Sequence, residues 1–310
     1  MKKVAFVFPG QGSQSVGMMQ SFAGCAPVRS VFAEASEVLN QDLWQLVADG
    51  PAEALNATVN TQPVMLTAGY AVYRAWLEAG GREPVIVAGH SLGEYTALVA
   101  AGAMAFKDAL PLVRFRARAM QEAVPVGSGA MAAILGLDDE AVRAACSSAA
   151  AGEVVEAVNF NAPSQVVLAG HRTAVERAAV AAKDAGAKRA VMLPVSAPFH
   201  SSLLAPAAAR LADYLRNVSL REPRIPVVNN VDVAVRREPE AIRRALARQA
   251  CNPVRWVEVV RALGAAGVTD IVECGPGKVL ASLVRRIDPA LKGHALADGQ
   301  SLTQTVEALK

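Results

Sequence analysis

The chain has 310 residues, of which 53 % are hydrophobic, 19 % charged and only 5 % aromatic. An apolar content this high, much of it alanine, excludes a disordered chain, which needs low hydrophobicity and high net charge. Thirty-one Lys and Arg against 28 Asp and Glu leave a net charge of +3, too small and diffuse to argue for nucleic acid.

The opening reads as strand, turn, helix. Val4–Phe8 is a short apolar run that Pro9-Gly10-Gln11-Gly12 ends. Lys2 and Lys3 before it resemble the start of a signal peptide, but the apolar run is shorter than the ~7–15 residues such a peptide needs. Helical patterns follow over Val28–Leu39 and Gln62–Glu78. The longest charge-free stretch, between Glu53 and Arg74, holds Asn56, Asn60, Gln62 and Pro63, so it is no membrane span. A soluble cytoplasmic protein without membrane contact is expected. Pro84–Ala88 is a β-branched strand that turns through Gly89-His90-Ser91-Leu92-Gly93 into an apolar helix from about Glu94. A further helix runs from about Phe106 to Ala123.

From Gly129 the style changes. Ala130–Leu137 reads as a strand, Asp138–Ser148 as a helix, Val154–Asn159 and Val166–Ala169 as strands, Arg172–Ala185 as a helix and Arg189–Leu193 as a strand. This βαββαβ order is the ferredoxin-like pattern. The first style then returns: helix Ser202–Arg216, strand Ile225–Asn229, helices Glu240–Gln249 and Val254–Leu263, strand Asp270–Cys274 and helix Lys278–Arg286, followed by a polar tail. Strands alternating with helices imply a mainly parallel sheet. The expected fold is therefore α/β: a large domain over residues 1–128 and 195–310, interrupted by a small α+β subdomain over 129–194. The four cysteines lack metal-ligand spacing, read as small buried hydrophobes, and imply no metal site.

The segment from Gly89 to Gly93 is a G-x-S-x-G between strand and helix. In that setting the serine sits on a sharp turn, with its hydroxyl exposed at the helix N-terminus. Ser91 is thus a candidate nucleophile, the alternative being a turn serine. It needs a base. Of the four histidines, His90 adjoins Ser91 and should point away from the hydroxyl. His171 opens a helix of the insert, where it reads as a cap, and His294 lies in the tail. His200 follows the last strand of the insert, where the chain re-enters the large domain and a cleft is expected. It is the candidate base. No acid between Ser91 and His200 follows a strand of the parallel sheet, so a Ser-His dyad is expected rather than a triad. An oxyanion hole would use the amide of Leu92 and an amide from the loop after the first strand, that of Gln11. As a dinucleotide fingerprint that loop fails, because Ser15 stands where the third glycine belongs. Gly275-Pro276-Gly277-Lys278 likewise lacks P-loop spacing.

On a helical wheel with Leu112 at 0°, Arg116 falls at about 40° and Met120 at about 80°, whereas Arg114 and Arg118 fall at about 200° and 240°. Arg116 therefore lies on the apolar face. A guanidinium there needs a carboxylate partner, either an internal Asp or Glu or a substrate carboxylate in the cleft.

Taken together, these residues resemble the malonyl-CoA:acyl carrier protein transacylase family of fatty acid synthesis. The resemblance runs from the first strand to about residue 290. It is carried by Phe8-Pro9-Gly10-Gln11-Gly12-Ser13-Gln14, by Gly89-His90-Ser91-Leu92-Gly93-Glu94-Tyr95, and by Arg116 with Met120-Gln121-Glu122-Ala123. It continues in Asn159-Phe160-Asn161 with Gln165-Val166-Val167, in Ala197-Pro198-Phe199-His200, in Gln249 with Asn252-Pro253-Val254, and in Glu273-Cys274-Gly275-Pro276-Gly277. It implies a hydrolase-like core with a ferredoxin-like insert, and malonyl-CoA and acyl carrier protein as substrate and partner. No cofactor or metal is implied, and a monomer is expected. Ser91 would attack the thioester with His200 as base, Gln11 and Leu92 forming the oxyanion hole. The backbone carbonyl of Gln249 would orient His200, and Arg116 would bind the malonyl carboxylate. Phe199 matches malonyl-selective members, although some relatives carry serine there. Cys251 and Arg255, which flank the Asn-Pro-Val, depart from the family pattern without touching the catalytic set.

Trans-acting transferases of polyketide assembly and the malonyl-transfer subunit of malonate decarboxylase share these motifs. Two other readings are a patatin-like lipase, whose serine pairs with the aspartate of an Asp-Gly such as Asp298-Gly299, and a non-catalytic carrier-docking subunit.

Overall fold

The computed structural model describes every residue except Met1 and Ser196. The chain begins with strand β1 (Val4–Phe8), followed by helices α1 (Ala26–Leu39), α2 (Leu43–Asp49), α3 (Ala52–Asn56) and α4 (Thr58–Glu78). Strand β2 (Ile86–Gly89) leads into α5 (Gly93–Ala100) and α6 (Phe106–Glu122). Next come β3 (Gly129–Leu135), α7 (Asp139–Ala149), β4 (Val155–Ala162), β5 (Gln165–His171), α8 (Arg172–Asp184) and β6 (Arg189–Met192). The last part is α9 (Ala205–Leu215), β7 (Val227–Val228), α10 (Pro239–Gln249), α11 (Trp256–Ala265), β8 (Asp270–Glu273), α12 (Val279–Ile287), β9 (Lys292–Ala295) and α13 (Gly299–Ala308).

Two sheets organise these elements. The first is parallel throughout, in the order β7-β2-β1-β8-β9. Strand β1 shows why it is covered on both faces. Phe6 and Phe8 enter the core shared with α1, α4, α5 and α6, whereas Ala5 and Val7 enter the core shared with α11 and α12. The second sheet is antiparallel, in the ferredoxin-like order β4-β5-β3-β6, with α7 and α8 packed on one face. A parallel bridge between Asn159 of β4 and Val254 ties the two sheets' layers together. Phe160 N donates to Val254 O at 3.0 Å, and Val254 N to Val158 O at 2.8 Å. Val254 is thus extended, and the helix expected to start there starts at Trp256.

Three other expectations need correction. The second helix begins at Thr58, not Gln62, with Pro63 inside it. Pro63 lies in the second turn of α4, past the first-turn positions where proline is easily accommodated. Helices α2 and α3 are short and were not foreseen. The polar tail is an edge strand and a capped helix: β9 pairs with β8, and Asp298 caps α13 by accepting from Ser301 N at 2.7 Å. Strand β9 lacks apolar alternation, and its pairing is made through the backbone. Among the described residues, no helix is long and apolar enough to cross a membrane.

Candidate active site

The strand β2 and helix α5 meet so closely that only glycine fits at either end of the turn. A Cβ on Gly89 would lie 1.9 Å from the carbonyl carbon of Gly93, and one on Gly93 would lie 2.0 Å from Phe8 O. Between them Ser91 takes a left-handed backbone conformation with φ of 51°. A non-glycine residue pays strain for this, and it persists where surrounding bonds over-determine it. Here Ser91 N donates to Asn230 Oδ1 at 2.8 Å, and Asn230 Nδ2 donates to Gly89 O at 2.7 Å. The loop after β1 lies against the same turn, because His90 N donates to Phe8 O at 3.0 Å.

His200, 3 % exposed, places Nε2 2.7 Å from Ser91 Oγ and Nδ1 2.9 Å from Gln249 O. A carbonyl oxygen only accepts, so Nδ1 carries the proton and Nε2 presents its lone pair to the serine hydroxyl. The place an acid would hold in a triad is taken by a backbone carbonyl. Burial pushes the His200 pKa down to about 3, helped by the Arg116 charge and opposed by the Gln249 carbonyl. The imidazole is therefore neutral at neutral pH and can accept a proton.

Arg116 reaches the same hydroxyl from α6. It is 2 % exposed, and its Nη2 lies 3.2 Å from Ser91 Oγ and 2.9 Å from Gln249 Oε1, while Nη1 donates to Gln62 Oε1 at 2.8 Å. The Tyr95 ring centroid lies 5.3 Å from the guanidinium carbon. Among the described residues, Arg116 forms no ion pair, so the internal Asp or Glu partner is not found. Burial holds its pKa below the usual arginine value, against the pull of Tyr95 and Glu94. Its charge faces the nucleophile uncancelled, bordered by neutral amide oxygens.

The amides of Gln11 and Leu92 donate to no protein acceptor among the described residues. The Gln11 side chain reaches Thr58 Oγ1 at 3.3 Å. Phe199 packs against both the large core and the outer face of the antiparallel sheet, where Met131, Val158, Val167 and Ala169 cluster. It stands at the seam between the two layers.

The other histidines go elsewhere. His90 turns to Asn161, with Nε2 2.8 Å from Oδ1. His171 holds the N-cap position of α8, as expected, but its side chain makes no capping bond: Nδ1 accepts from Val154 N at 2.9 Å. His294 pairs with Asp270 at 2.8 Å. Asp298, the lipase-type candidate, spends its carboxylate on the N-terminus of α13.

Three buried polar residues at the site were missed from sequence: Gln62, Glu94 and Asn230. Glu94 Oε2 accepts from Asn230 N at 2.9 Å and from Gln249 Nε2 at 2.9 Å. Burial raises its pKa to about 7, against the pull of those two bonds and of Arg116. For Glu94 the available signal was the one charged side chain in a mostly apolar helix; Gln62 and Asn230 carried none.

The chain matches the family model described as "Acyl transferase domain" over residues 5–292. It is 54 % identical over 308 residues to the malonyl CoA-acyl carrier protein transacylase of Escherichia coli (strain K12), covering 99 % of this chain and 100 % of the relative. Against the same-named protein of Bacillus subtilis (strain 168) it is 45 % identical over 312 residues, covering 100 % and 98 %. Among solved structures, the acyl-carrier-protein S-malonyltransferase of Burkholderia pseudomallei 1710b superposes with a TM-score of 0.97 at 64 % identity, over 98 % of this chain and 99 % of that one. A malonyl-transacylase in complex with its type II PKS acyl-carrier protein (PlMCAT:AntF) gives a TM-score of 0.97 at 52 % identity, over 99 % of each chain.

Proposed function

The chain belongs to the malonyl CoA-acyl carrier protein transacylase family of acyltransferases, and from that membership we propose that it moves a malonyl group from malonyl-CoA, through an ester on Ser91, to the phosphopantetheine thiol of acyl carrier protein in fatty acid synthesis. The observation that carries this reading is the convergence on one oxygen. Ser91 Oγ has a neutral imidazole at 2.7 Å and a guanidinium at 3.2 Å.

The reaction runs in two half-steps. Ser91 Oγ attacks the thioester carbonyl while His200 Nε2 takes its proton. The oxyanion accepts from the Gln11 and Leu92 amides. Collapse breaks the C–S bond, and CoA leaves with the proton from His200. The carrier's thiol then gives its proton to His200 and attacks the ester. Collapse breaks the C–Oγ bond, and Ser91 regains the proton. Throughout, the Gln249 carbonyl holds Nδ1–H and stabilises the transient imidazolium. Arg116 binds the free carboxylate of the malonyl group, and a fork-shaped cation suits that bidentate acceptor. Phe199 lines the acyl pocket from the seam. The buried pocket limits water and so favours the thiol over hydrolysis.

Steady-state transfer from malonyl-, methylmalonyl- and acetyl-CoA to fatty-acid and polyketide carrier proteins tests this. Malonyl-CoA and a fatty-acid carrier should give the highest kcat/KM. Faster transfer to a polyketide carrier would move the protein to that pathway, and turnover of lipid esters instead would overturn the reading.

The imidazole itself gives a pH prediction. The unfolded chain protonates His200 near 6.5, whereas the folded chain resists until about 3. Its contribution to stability is therefore complete above pH ~6.5 and is lost as pH falls from there toward ~3. The NMR signals of the His200 ring should stay at their neutral-form positions from pH 7.5 to 5. A titration midpoint near 6.5 would contradict the buried, neutral base.

A further inference from the structure

Gln249 ends α10 fully buried, and its side-chain amide touches three parts of the site at once. Nε2 donates to Glu94 Oε2 at 2.9 Å and to Ser91 O at 3.0 Å, while Oε1 accepts from Arg116 Nη2 at 2.9 Å. An amide is a donor at one end and an acceptor at the other. Turned over, its NH2 would face the guanidinium donors and its oxygen would face the Glu94 carboxylate. Both contacts would then oppose like with like, where water cannot relieve the mismatch. Glu94 is itself held, because Asn230 N also donates to Oε2, and Asn230 in turn grips Ser91 N and Gly89 O.

We propose that Glu94 is a positioning residue for malonyl transfer: by holding the Gln249 amide nitrogen it turns the amide oxygen toward Arg116, anchoring the guanidinium beside Ser91 without neutralising it. This rests on Arg116 receiving the malonyl carboxylate. A carboxylate bonded directly to Arg116 would anchor it equally well but would compete with the substrate. One amide placed between them keeps the anchor and leaves the charge available.

The test compares malonyl-CoA with acetyl-CoA, since acetyl has no carboxylate for Arg116. Glu94→Met removes the acceptor and should lower the malonyl-to-acetyl ratio of kcat/KM at least tenfold, mostly through a higher KM for malonyl-CoA. Glu94→Gln keeps an acceptor at the same place and should hold the ratio within about threefold of the wild type. Where Glu94→Met does not fold, Glu94→Asp, which withdraws the oxygen by one methylene, carries the same expectation. An unchanged ratio in the Met or Asp variant, or equal losses on both donors, overturns the proposal. A wild-type protein that transfers no malonyl group would instead fail the functional reading, with Glu94 not at issue.

Discussion

With Ser91 replaced by alanine, no malonyl adduct should form on the protein after mixing with malonyl-CoA, whereas mass spectrometry of the wild type should show one. Nothing else is lost that the fold depends on: among the described residues Ser91 Oγ bonds only to His200 and Arg116, and the turn is held through the backbone by Asn230 and Gln249. The variant should therefore fold and still bind the donor. Turnover should fall by on the order of 10⁶-fold, as when a serine nucleophile is removed from a catalytic unit. His200→Ala should cost nearly as much, and the double variant little more than either alone, because proton acceptor and nucleophile act as one device. An adduct that survives Ser91→Ala would place the nucleophile elsewhere and remove the basis of the two-step scheme.

Arg116→Ala should cut kcat/KM for malonyl transfer by about 3–5 kcal/mol, the usual cost of removing one partner from a buried ion pair. That is roughly 10²- to 10⁴-fold, since each 1.36 kcal/mol is tenfold. Transfer of acetyl, which brings no charge to the pocket, should be largely spared. The asymmetry follows from the environment of Arg116. Its fork is met by the neutral oxygens of Gln62 and Gln249, and among the described residues no carboxylate pairs with it directly, so the acyl group's own carboxylate would be the counter-charge in contact with it. Parallel rates on the two donors settle the matter the other way. Equal loss for malonyl and acetyl would make Arg116 a structural residue.

How much of this was legible in the chain depends on the distance between the partners. The turn at Ser91 was legible because its causes lie within five residues: two glycines that allow β2 and α5 to close, and a serine between them. Arg116 was legible because charge is scarce here, and a cation on an apolar helix face breaks the pattern. Its partners were not. Of the two expected partners, an internal acid or a substrate carboxylate, the internal acid is absent among the described residues, and the guanidinium meets two glutamine oxygens from α4 and α10. Glu94 is a charge in a mostly apolar helix, and Gln62 an uncharged amide in a stretch with other polar residues; neither shows from sequence alone what it bonds.

The alternation of strands and helices, the ferredoxin-like insert, the strained turn and the chemistry available at it can all be read from the chain alone. Those features arise from side-chain periodicity and from steric limits that act between near neighbours. What completes the site comes from folding. Folding set which nitrogen of His200 carries the proton, which amide oxygens border Arg116, how Glu94 is linked to both, and that the tail closes the sheet as an edge strand. Each of these is a hydrogen bond between groups far apart in the chain, and its direction is set by which donor and acceptor folding brings together out of water.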